Sequence, residues 1–210
     1  MIRSQLGVRH RLARGCAGIL VCVTALVLNA ASTSAAPRPP QNVEPSVGAS
    51  LTVRMTALFH AISLDSLAEG EQLFFPESAY ASMKTSMIPN PASDYSRRLV
   101  SFFQLDLATY HASMFSHATT SFLSVNANPA DAQWIKPGWC ENSIGYWHLP
   151  RIRLVYRQNG VVRSVAVASL ISWHGAWYVV HLGPNPRPRN VGTLDAPSLG
   201  RGVAGPAGGC

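Results

Sequence analysis

The run Pro150-Arg151-Ile152-Arg153-Leu154-Val155-Tyr156-Arg157-Gln158-Asn159-Gly160-Val161 places Ile152, Leu154 and Tyr156 on one side of an extended chain. Arg151, Arg153 and Arg157 fall on the other side, the period-2 pattern of a strand with two unlike faces. Gln158-Asn159-Gly160 supplies residues that tolerate positive φ, so the chain turns back into Val161 to Trp173. A second turn at His174-Gly175 leads into Trp177 to Leu182, which completes three consecutive antiparallel strands. The alternation begins weakly upstream, near Ser121 to Val125.

Before that point the period is helical. Leu51, Met55, Leu58, Phe59 and Ile62 share one face at about 100° per residue. Pro76 starts a second, short helix carrying Ala79, Tyr80, Met83 and Met87, and Pro89 and Pro91 end it. Ser93 or Asp94 can cap a third helix whose apolar face holds Tyr95, Leu99, Phe102, Phe103 and Tyr110. Helices first and a strongly curved antiparallel meander last define an α+β domain, with the N-terminal helices packed on the sheet.

This element order, with a last strand reading Gly175-Ala176-Trp177-Tyr178-Val179-Val180-His181-Leu182, resembles the NTF2-like (SnoaL-like, cystatin-like) cone superfamily over about residues 50–182. The resemblance implies a pocket inside a cone. It implies no particular activity, because members include isomerases, cyclases, dehydratases, ligand binders and structural modules. The chain carries no copy of the family's catalytic motifs, so no catalytic residue is transferred to it.

The ends set the context. Arg3, Arg9, Arg11 and Arg14 precede an apolar run from Ala17 to Ala30 and the small residues Ala31 to Ala36, the pattern of a signal peptide over residues 1–35. The expected location is therefore outside the cytoplasm, secreted or in a bacterial cell envelope. Residues 36–49 read as a disordered lead-in. Residues 183–210, rich in Gly and Pro and nearly free of large apolar side chains, read as a tail unable to bury a core. The stretch between is long enough for one domain, and the sequence holds neither an internal repeat nor a second domain.

The formal charge of +7 shrinks once the four leader arginines are set aside, leaving 13 basic residues against 10 acidic ones. That balance gives no reason to expect nucleic acid as a partner. Of the four cysteines, Cys16 and Cys22 fall in the leader, and a disulfide between Cys140 and Cys210 is the simplest outcome in an oxidising compartment. An intermolecular disulfide through Cys210 and a free nucleophile at Cys140 are the competing readings.

Asp106 is the main candidate for chemistry. On a continuous third helix it joins Phe102, Phe103 and Tyr110 on the apolar face, where desolvation would raise its pKa and Tyr110 could donate to it, as a general base requires. The preferred alternative has Gln104-Leu105 breaking the helix and Asp106 capping a new turn at Leu107. Trp139, Tyr146, Trp147 and His181 are candidate ligand contacts, Trp134 completing the aromatic cluster, with packing under a loop as the competing role. The arginines at 151, 153, 157 and 163 suit an anionic envelope polymer or a lipid head group or, more simply, a solvated sheet face. No histidine spacing forms a metal motif, and no cofactor is expected.

The functional expectation is a secreted, non-catalytic binding or scaffolding module. Its partner would be a small molecule, an envelope polymer or a second copy of the chain. The alternative is a small cone-pocket isomerase or lyase working by proton transfer at Asp106.

Overall fold

Two-residue turns organise the sheet. Asn159 and Gly160 have φ of 48° and 82°, and His174 and Gly175 have φ of 47° and 80°. Positive φ at both central positions is the type I′ geometry whose twist matches that of flanking strands. The structure, a computed structural model, describes residues 40–206. The expected leader over residues 1–35 and Cys210 lie outside the described residues.

Five α-helices precede six strands. They are α1 (Ala49–Ser63), α2 (Leu67–Glu71), α3 (Glu77–Met83), α4 (Pro91–Asp94) and α5 (Ser101–Phe115). The strands are β1 (Thr120–Asn126), β2 (Gln133–Ile135), β3 (Tyr146–Gln158), β4 (Val161–Trp173), β5 (Ala176–His181) and β6 (Asp195–Leu199). The sheet is antiparallel in the order β1-β3-β4-β5, with β2 added beside β3 and β6 beside β4. Helices packed on this open sheet make the domain α+β. Leu51, Met55, Leu58, Phe59 and Ile62 of α1 are buried, as are Ile152, Leu154 and Tyr156 of β3, and both sets belong to one core.

Besides the short α2, which the expected pattern lacks, the helical half departs from it in two places. The helix expected after Pro76 is α3, which ends at Met83 and leaves Met87 on the surface at 72% exposure. The third expected helix begins at an Asn90 cap and passes through a π-helical stretch, Tyr95–Val100, before α5. The wider turn keeps Tyr95, Leu99, Phe103 and Leu107, spaced by four, all in the core. No break occurs at Gln104-Leu105, so Asp106 lies within α5 and does not cap a turn at Leu107.

The described parts of both expected tails, residues 40–49 and 183–206, are ordered against the domain. Buried Trp177 donates its indole N–H to Pro45 O at 3.1 Å, and Trp147 donates to Asn42 O at 2.9 Å. An indole has a donor and no acceptor, so covering these side chains required backbone carbonyls, which the lead-in provides. At the other end, β6 takes the outer edge of β4 over Arg163 to Ala166, next to β5, which takes Ser169 to Trp173. An open edge is thereby closed by the chain itself.

The arginine face is covered by the same segment. Arg153 is only 3% exposed and donates to Ser164 Oγ, Ser164 O, Ala196 O and Ser198 Oγ. Gly202 crosses directly over it with φ of 62°, and a Cβ there would sit 2.1 Å from the Arg153 guanidinium. Beyond it Gly202 O accepts from Asn126 Nδ2, and Gly205 N donates to Arg151 O. The expectation of a solvated basic stripe fails at Arg153, since four acceptors substitute for water on a face that Val155 also shares.

Tyr110 of α5 joins these strands. Its hydroxyl lies 2.6 Å from Ala166 O and 2.9 Å from Leu182 O, and it accepts from Asp195 N at 3.1 Å. One phenol thus ties β4, the end of β5 and the start of β6. Tyr110→Phe should keep the far-UV circular dichroism of the parent but lower unfolding free energy by about 1–3 kcal/mol in urea titration, the usual penalty for leaving buried backbone groups unpaired.

Candidate functional site

The site is built where α3, the C-terminal half of the sheet and the loop over residues 136–145 converge. That loop is held to α3 by Ser143 N donating to Met83 O at 2.6 Å and Thr85 N donating to Glu141 O at 2.9 Å. Gly138 N donates to Asn142 O, closing the loop on itself, and Cys140 and Glu141 adopt φ of 55° and 61° at its tip. A cavity of about 110 Å³ lies behind it. Tyr80, Lys84, Asn142, Tyr146, His148, Ser169 and His181 supply its polar lining, with Phe75, Met83, Ile135, Cys140, Ile171 and Val180 as the remainder.

The strands dictate which side chains reach this cavity. Ser169 faces His181 across the β4–β5 ladder, next to a register shift between Ser169 and Leu170. His148 of β3 is buried, and its Nε2 lies 2.8 Å from Ser169 Oγ. Burial pushes the His148 imidazole down to about 4. Burial also pushes His181 down to about 4, helped by the nearby positive charges of Arg98, Arg187 and Lys84. Both rings are therefore neutral at pH 7, each offering one donor and one acceptor. Lys84 stays against the wall, its Nζ 4.8 Å from the Tyr80 ring centroid and 3.5 Å from Cys140 O. Burial lowers its pKa, while Glu141 opposes that shift.

On its other side Tyr80, which lines the cavity, joins Asp94 and Arg98 in a charged triad. Arg98 donates from Nε to Asp94 Oδ1 at 2.8 Å and from Nη2 to Tyr80 Oη at 3.0 Å, and Tyr80 donates to Asp94 Oδ2. The Arg98 hydrogen bond holds the Asp94 carboxyl below its ordinary value. Burial and the bond to Asp94 raise the Tyr80 phenol, leaving it protonated at neutral pH.

Of the aromatic candidates, Tyr146 and His181 line the cavity. Trp147 packs instead on Trp134, ring centroids 5.8 Å apart, under the lead-in that accepts its indole N–H. Trp139 stands in solvent at 66% exposure. Cys140 lines the cavity and is engaged, while Cys210 lies outside the described residues.

Asp106 and Tyr110 are not among the cavity residues. Asp106 accepts from Gly183 N and Thr193 N at 2.9 Å each, from Thr193 Oγ1 at 3.2 Å and from Arg187 Nη1. Its ion pair with Arg187 has both side chains only 2% exposed. Burial raises the Asp106 carboxyl, and these donors oppose the shift. Four donors around two oxygens describe a carboxylate that organises a loop. Gly183 permits the close approach, since a Cβ there would meet Asp106 Oδ2 at 2.8 Å.

Sequence reasoning missed His148, Ser169 and Lys84. His148 could have been found, because it stands in phase with Tyr146, on the face of β3 opposite Trp147. Ser169 and Lys84 carry no such signal. Among the described residues no cluster of three or more His, Cys, Asp and Glu could hold a metal ion.

Buried His148 and half-buried His181 couple stability to acid. Their folded pKa of about 4 lies below the unfolded value of 6.5, so the stabilisation is complete above pH 6.5 and is lost as pH falls toward 4. Thermal midpoints measured across that window should drop by several degrees, and the double variant His148→Gln/His181→Gln should lose most of the slope.

Compared with known proteins, the chain matches no family model, and no curated protein or solved structure shows significant similarity to it.

Proposed function

We propose that this chain is a secreted binding module of NTF2-like cone type, with residues 1–35 removed as a signal peptide. Its cavity would take a small, uncharged, hydrogen-bonding group. The observation that carries this reading is a cavity of about 110 Å³ lined by His148, Ser169, His181, Asn142 and Tyr146 with no carboxylate in its lining, where His148 is held 2.8 Å from Ser169 Oγ. Such a cavity has room for a few water-sized groups, which suits a compact ligand or one inserted side chain of a partner. Neutral imidazoles, Ser169, Asn142 and Tyr146 offer paired donors and acceptors for a polar, uncharged guest.

The engagement of Cys140, with Cys16 and Cys22 in the leader, supports a Cys140–Cys210 disulfide tethering the rim of the cavity to the C-terminal segment. A proton-transfer enzyme using Asp106 gains no support, because the oxygens of that carboxylate are occupied by Gly183, Thr193 and Arg187.

Native mass spectrometry of protein recovered from the culture medium tests the reading. The parent should carry a small-molecule adduct, and His181→Phe, which fills the cavity, should remove it while keeping the fold. An adduct of equal mass and occupancy on both proteins would count against the cavity, as would a parent with no adduct. Asp106→Asn should keep the adduct but lower stability by about 3 kcal/mol, the usual loss when one partner of a buried ion pair is removed.

A further inference from the structure

On the far side of the Tyr80–Asp94–Arg98 triad, an open groove of about 600 Å³ runs between the start of the third helical segment and residues 189–190. Its apolar surface is formed by Ile88, Pro89, Phe102 and Leu105. Its charged surface is unevenly neutralised. Asp94 is the single carboxylate in its lining, and both of its oxygens are occupied by Arg98, with Tyr80 sharing one of them. Arg187, whose guanidinium stacks 4.7 Å from the centroid of the Phe102 ring, is committed to Asp106.

Arg97 and Arg189 are different. Both line the groove and are exposed, and among the described residues neither side chain makes a hydrogen bond or ion pair. The π-helical stretch contributes to this arrangement: it keeps Tyr95 and Leu99 in the core while Arg97, Arg98 and the following Ser101 reach the groove. Insertions of this kind recur where a helix presents side chains to a ligand.

We propose that this groove is a second binding site, separate from the cavity, for a single-headed anionic amphiphile: a carboxylate between Arg97 and Arg189, its hydrocarbon along Ile88, Phe102 and Leu105. Exposed arginines alone hold a simple anion weakly, because water and salt screen them. An apolar body supplies the area-dependent part of the affinity, and two guanidinium groups select its charged head.

Fluorescence titration of the full chain with a dansyl-labelled undecanoic acid and with its methyl ester provides the test. The acid should bind at least about tenfold more tightly than the ester, and the preference should weaken with added salt. Arg97→Gln/Arg189→Gln should reduce acid affinity about tenfold with an unchanged thermal midpoint, and Ile88→Ser should weaken acid and ester alike. His181→Phe should leave acid binding intact, which separates this site from the cavity. Equal binding of acid and ester would overturn the proposal, as would a double variant that binds like the parent. Loss of acid binding in His181→Phe alone, or association only with vesicles of anionic phospholipid, would also overturn it.

Discussion

Asp106 and Tyr110, one turn apart on α5, fix the path of everything after β5. Asp106 gathers Gly183, Arg187 and Thr193 around one carboxylate, and Tyr110 receives Asp195 N as β6 begins. A segment poor in large apolar residues cannot hold itself in place by hydrophobic burial. It is held here by charge-assisted and buried hydrogen bonds, which are strong because water is excluded from them.

The rest of the architecture follows from that anchor. With residues 183–194 pinned, β6 reaches the free edge of β4, and the turn beyond it lays Gly202 over Arg153. The outer face of the sheet around Arg153 is then covered by the chain's own C-terminal segment, and the inner face by α1 and α5. The lead-in closes a third side, where the indoles of Trp147 and Trp177 meet Asn42 and Pro45. The cavity around His148 and His181 opens at the remaining side, beneath the 136–145 loop.

Periodicity made most of the fold legible. The α1 face, the strand at Ile152–Tyr156 and the Asn159-Gly160 and His174-Gly175 turns could all be read from local chemistry, because each depends on residues close in sequence. The tails could not. Composition argued that residues 36–49 and 183–210 bury no core. Among the described residues of these segments Val47 and Leu194 do pack against the core, but most of the order comes from backbone groups that satisfy distant polar residues. Arg153 was misread for the same reason: a charge on a strand looks solvated until the acceptors at Ser164, Ala196 and Ser198 are seen. Asp106 was read first as a cap and only on the alternative of a continuous helix as a carboxylate on an apolar face, which is where α5 places it, and its role depends on Gly183, Arg187 and Thr193, roughly 80 residues downstream. Of the site, Tyr146 and His181 were legible, whereas His148, Ser169 and Lys84 converge only through strand pairing and the docking of α3.

Hydrogen exchange of individual backbone amides addresses the anchor most directly. If Asp106 and Tyr110 hold the C-terminal segment, the amides of Gly183, Thr193 and Asp195 should be protected to a degree approaching that of β4, since opening them requires breaking buried bonds. Exchange of these three amides at rates expected for an unstructured peptide, with β4 still protected, would contradict the account.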